Sequence, residues 1–151
     1  MRGSIAPAAV ARYRRDGAPP VTNADINDAL RKLVDDFVDR DGLWSLQYGD
    51  LPIHVVSDPP VDRIRIFAPV AGADLNDGEL LYRLLRANFE TALDARYCIW
   101  RGTLFAAFMH PLAALDEATF IDGMEQVVTL VKTTGGTFSS TGLRFGGDSG
   151  H

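Results

Sequence analysis

The sequence predicts an α+β domain: an antiparallel β-sheet packed with helices, in the order α-β-β-β-α-β-β-α. Three observations lead to it. Apolar residues recur every three or four positions in three stretches, the spacing of a buried helical stripe. Five short segments between those stretches read as strands. The connections within each run of strands are short, which favours antiparallel neighbours, because parallel ones need a long crossover.

The first helix is expected from Ile26, Leu30, Leu33, Val34, Phe37 and Val38, which fall on one stripe. Thr22 with Asp25 makes a capping box ahead of them, and Gly42 is the expected stop. Trp44, Leu46 and Tyr48 alternate with Ser45 and Gln47, the period of a half-buried strand. Ile53 to Ser57, between Pro52 and Pro59-Pro60, is a second strand. Arg63 to Ala68 is a third, with Ile64 and Ile66 on one face and Arg63, Arg65 and Phe67 on the other.

The second helix is expected after Asn76 as its cap, with Glu79 at the box position and Leu80, Leu81, Leu84, Leu85 and Phe89 on its apolar side. Arg96 to Trp100 and Thr103 to Met109 flank Arg101-Gly102 at hairpin spacing. Asp116 caps the third helix, and Leu115 before it can staple onto Phe120. Met124, Val127, Val128 and Val131 extend that stripe to Gly135-Gly136.

The chain has 151 residues, a length that favours one domain, and 46% of them are hydrophobic, too many for a chain disordered throughout. Its formal net charge is -5, which argues against general nucleic-acid binding. The charge is uneven. Residues 1–21 carry Arg2, Arg12, Arg14 and Arg15 against Asp16, whereas residues 22–134 carry 10 basic and 18 acidic side chains. The expected organisation is a basic arm over 1–21, one domain over 22–134, and a flexible Gly/Ser/Thr-rich tail over 135–151. No apolar run approaches the ~20 residues that span a bilayer, so a cytoplasmic protein with no membrane partner is expected.

Candidate chemistry is sparse. His54, His110 and His151 are the only histidines, in none of the HxH, HxxxH or HExxH spacings that hold metals. The glycine pairs do not precede a helix, as a phosphate cradle would require. No metal, no cofactor and no catalytic residue is expected. A nucleophilic Cys98 with His110 as base across the hairpin is the enzymatic alternative. A lone cysteine between Tyr97 and Ile99 reads more simply as a small apolar residue.

Leu80 to Phe89 (LLYRLLRANF) resembles the leucine-rich helix, ending in an asparagine, of type III secretion chaperones of the Tir-chaperone type and of YbjN-like domains. His110 to Asp116 (HPLAALD) is similar to the PL-x-x-LD joint that leads into the last helix of the same families. The resemblance covers most of residues 24–134. It implies a chaperone-like or adaptor-like protein that binds a protein or peptide segment, with a YbjN-like regulatory domain as the alternative. It implies a homodimer too, for which Leu81, Tyr82, Leu85 and Phe89 on the second helix are the candidate interface.

With no catalytic constellation, function is expected on a surface. Arg63, Arg65 and Phe67 on the outward face of the third strand are the candidate partner-binding residues. Arginine and aromatic side chains are frequent contact anchors, and two arginines make a positive spot in an otherwise acidic domain. The competing structural reading places Phe67 under a helix.

Overall fold

The computed structural model describes residues 19–134, together with the backbone of two short strands farther on. The basic arm up to residue 18 and the rest of the tail lie outside the described residues. The expected order holds for the longer elements, with one short strand added at the front.

Helix α1 (Asn23–Arg31) opens with the expected capping box, in which the Thr22 hydroxyl accepts from the Asp25 N–H and the Asp25 carboxylate accepts from the Thr22 N–H. It ends sooner than the apolar stripe suggests. Lys32 closes it, and both Leu33 and Val34 donate back to the Leu30 carbonyl in a terminal turn. Phe37 and Val38 belong instead to strand β1 (Phe37–Asp39). Gly42 is not a helix stop but half of a hairpin turn. Asp41 and Gly42 have φ of 52° and 92°, the pair of positive angles a type I′ hairpin requires.

Strands β2 (Leu43–Tyr48), β3 (Leu51–Asp58) and β4 (Arg63–Pro69) follow as a meander. After α2 (Gly78–Glu90) come β5 (Arg96–Trp100) and β6 (Thr103–His110), joined by Arg101-Gly102 in a second turn of the same kind. The six strands form one sheet in the order β1-β2-β3-β4-β6-β5, every neighbour antiparallel. Strands β7 (Phe138–Ser140) and β8 (Leu143–Phe145) pair separately, inside the segment read as a tail.

The expected cap of α2 moves by one residue. Asp77, not Asn76, accepts from the N–H groups of Glu79 and Leu80. Helix α3 (Glu117–Thr133) is capped by Asp116 as expected, and Leu115 and Phe120 are both buried.

The core lies between one face of the sheet and the helices. Trp44, Ile53, Val55, Ile64, Ile66 and Phe108 from the strands meet Leu30 of α1 and Phe120, Met124 and Val127 of α3. Gly123 lets α3 approach closely, because a Cβ there would fall 2.5–2.9 Å from three ring carbons of Phe108. Polar links fix the layers: the Trp44 indole donates to Asn27 at 2.6 Å, and Lys32 bridges to Glu117 at 2.9 Å. Tyr48 donates to Glu125, and that contact together with burial raises its phenol pKa.

Candidate partner-binding face

Period-two alternation divides β4 cleanly. Ile64, Ile66 and Ala68 are buried on the helix side, whereas Arg63, Arg65 and Phe67 lie on the other side, which no described helix covers. The reading of Phe67 as a residue under a helix therefore does not hold. Its ring stands edge-on to that of Phe105, with centroids 5.7 Å apart, and lies tilted against His54 at 5.5 Å.

Register brings more residues to this face than sequence reasoning named. Phe67 is opposite Ala107, Arg65 is opposite Met109, and Cys98 is opposite Phe105. Ala107 and Cys98 are small, and Phe67, Phe105, Trp100 and Met109 around them are large. The difference in size leaves a groove of about 400 Å³, lined also by Val56 and Arg65. The signal for it was available in β6, where Thr103–His110 is apolar at both parities: a strand apolar on both faces needs partners on both.

The charged groups at this face are mostly cationic. Arg65 reaches Asp58 only at 3.8 Å, with both side chains well exposed, an ion pair that contributes little. Arg63 donates to the Asp62 carbonyl at 2.8 Å, and Arg101 lies over the Trp100 ring at 4.5 Å. Of these arginines Arg65 lines the apolar groove and Arg101 lies over its Trp100 wall, on a domain with 18 acidic and 10 basic side chains.

The alternative pairing of Cys98 with His110 fails on geometry. His110 lies five positions along β6 from Phe105, the partner of Cys98, roughly 16 Å away at strand rise. It also projects to the other side of the sheet, where its ring stacks on Phe108. Cys98 is exposed at the groove, yet its aromatic surroundings partly desolvate the thiol and push its pKa up. A raised pKa is the reverse of what an activated nucleophile needs. His54, on the open face, and His110, on the covered one, do not converge either.

The second candidate surface is the outer side of α2. Leu80, Leu84 and Ala87 turn inward and are buried. Leu81 is half-buried, and Tyr82, Leu85 and Phe89 are exposed, Leu85 at 70% and Phe89 at 91%. Asn88, in the last turn of α2, reaches across to the backbone of Tyr97 in β5.

The sequence from residue 22 to residue 134 matches the Tir chaperone protein (CesT) family. No curated protein matches the chain. Among solved structures, the fold is similar to a chain of the HopA1–SchA chaperone–effector complex, with a TM-score of 0.54 and 16% identity over 76% of this chain and 98% of that one. It is similar to a chain of the ExoT–SpcS complex of Pseudomonas aeruginosa, with a TM-score of 0.53 and 20% identity over 75% and 99%. It is also similar to a chain of the complex between the Yersinia pestis type III secretion chaperone SycH and a fragment of YscM2, with a TM-score of 0.57 and 12% identity over 72% and 94%. At these identities the structures attest the fold, and the family match, which spans the whole helix-and-sheet unit, attests the kinship. The chain belongs to the Tir chaperone protein (CesT) family, and its function class is that of a type III secretion chaperone that binds protein partners.

Proposed function

We propose that the open sheet face is where this chaperone holds its partner, with Phe67 and the groove beside it as the apolar anchor and Arg63 and Arg65 as its charged border. The observation that carries the reading is the groove itself: large apolar side chains stand on a solvent-facing sheet surface with no element of the described chain above them. Exposed apolar patches rimmed by polar groups are where proteins meet proteins. The chaperone–effector complex of HopA1 and SchA, one of the similar folds, supports a protein partner.

The partner meets the chaperone in the cytoplasm, a location with which the described helices agree, none being long and apolar enough to cross a membrane. The working unit is a homodimer formed through Leu81, Tyr82, Leu85 and Phe89. A two-fold contact through one helix would place the same patch on both subunits and bury the exposed Tyr82, Leu85 and Phe89 of each. Catalysis has no part in this reading.

The test begins with capture of the partner from the native host by the intact chain, identified by mass spectrometry. Phe67→Ala should then weaken its binding by ~1–3 kcal/mol. Unchanged affinity in a folded variant would remove the open face from the site. Light scattering on Leu85→Asp should show monomer where the parent shows dimer.

A further inference from the structure

Strand β5 is the last strand of the sheet, and its outer side should be a free edge. An edge is a template for another strand, and proteins blunt it with lysine, proline or a bulge. Residues 96–100 (RYCIW) contain no lysine or proline, and Ile99 and Trp100 are more than half exposed. By composition this is a strand that should recruit a second one.

Asn88 stands in the way. Its Oδ1 accepts from the Tyr97 N–H at 2.7 Å, and its Nδ2 donates to the Tyr97 carbonyl at 3.1 Å. In an antiparallel ladder, the N–H and C=O of one residue point to the same side, and the side alternates along the strand. Tyr97 therefore faces outward, away from β6, and the carboxamide meets it as the backbone of a neighbouring strand would. The clamp has firm footing, since Asn88 follows the buried Ala87 on α2 and the Tyr97 hydroxyl is tied to the Leu130 carbonyl of α3 at 2.7 Å.

We propose that Asn88 closes the outer edge of β5 against strand pairing with a second copy of this chain. The occupant it excludes is specific. Cys98 is the central residue of β5, so two β5 strands paired antiparallel about their centres would set Cys98 opposite Cys98 and Tyr97 opposite Ile99. The hydrogen-bonded rungs of that pairing need the two Tyr97 groups that Asn88 occupies. Contacts between copies are thereby left to side chains, and the sheet ends at β5.

The pairing Asn88 prevents carries its own reporter. Opposed residues of antiparallel strands have Cα atoms ~4.5–5.5 Å apart, within disulfide reach, and Cys98 is the chain's single cysteine. The full-length protein is treated with copper phenanthroline, and exchange of the Tyr97 amide is followed in parallel. The parent should resist cross-linking, whereas Asn88→Ala should form the Cys98–Cys98 disulfide and exchange the Tyr97 amide about ten-fold faster. Asn88→Asp, which keeps the acceptor and loses the donor, should fall between them and serves if the alanine variant does not fold. Asn27→Ala, which removes the partner of Trp44 and leaves β5 untouched, should lower stability without cross-linking. Cross-linking of the parent as fast as of Asn88→Ala, or Tyr97 exchange unchanged by loss of the carboxamide, overturns the proposal.

Discussion

Along β4 the two faces of the sheet differ residue by residue: Ile64, Ile66 and Ala68 are sealed beneath helices, while Arg63, Arg65 and Phe67 one step away meet solvent. The same contrast runs through β6, where Phe108 is buried against α3 and Phe105 and Met109 line the groove. Both faces carry large apolar groups, so hydrophobicity does not distinguish them. Closeness of fit does. On the covered face a helix comes so near Phe108 that no Cβ fits between them. On the open face, small Ala107 and Cys98 leave a depression that nothing in the described chain fills. Stability resides on the tightly packed side, and a binding role belongs to the side whose packing is incomplete.

The largest expected effect tests the covered face. Phe108→Ala removes a ring that is 1% exposed and should cost ~3–5 kcal/mol in denaturant unfolding. Gly123→Ala asks a subtler question at the same contact. In a solvent-facing helix position, glycine to alanine gains up to about 1 kcal/mol. Here the added methyl must displace Phe108, and overpacking of this kind should reverse the sign, with a loss of ~1–3 kcal/mol. A stabilised Gly123→Ala protein would mean that α3 is not seated as closely as the covered face requires.

Phe67→Ala sharpens the contrast from the other side. The ring keeps contacts with His54 and Phe105, so some loss is expected, of the ~0.5–1.5 kcal/mol that aromatic pairs contribute. A loss as large as that for Phe108→Ala would show that the open face supports the fold as much as the covered one does.

Strand parity made most of this legible in the sequence. Alternation in β4 placed Arg63, Arg65 and Phe67 together on the face away from the core, and α2 and α3 follow from their stripes. The misreadings share a cause, which is that local spacing does not encode what a residue meets across space. Phe37 and Val38 extend the helical stripe of α1 arithmetically. In the fold Phe37 is half-buried against the core, and Val38, on the opposite face of β1, is exposed. Gly42, read as a helix stop, follows Asp41, and Asp-Gly is by composition one of the strongest hairpin signals. Asn88 and Gly123 were beyond reach for another reason. One acts on Tyr97 nine residues away and the other on Phe108 fifteen residues away, through contacts that exist only after α2 and α3 have docked.

The smallest expected effect is a rate, and it concerns the thiol at the groove. Burial among aromatic side chains raises the Cys98 pKa, so at neutral pH less of it is thiolate than in an unfolded chain. Alkylation of the folded protein should therefore be slower than that of the denatured protein at pH 7. The gap should close as pH rises past the raised pKa, where both are fully ionised. A gap that stays constant with pH would mark simple obstruction of the thiol rather than desolvation. Faster alkylation in the folded state at pH 7 would mean a cation beside Cys98 outweighs desolvation, and the thiol would regain standing as a nucleophile. Of the nearby cations, Arg65 lines the same groove and Arg101 leans on Trp100. Repeating the measurement with Arg65→Ala and Arg101→Ala would show which of them lowers the pKa. Slow, pH-closing alkylation in all three proteins keeps Cys98 as part of an apolar wall, the role the open face assigns it.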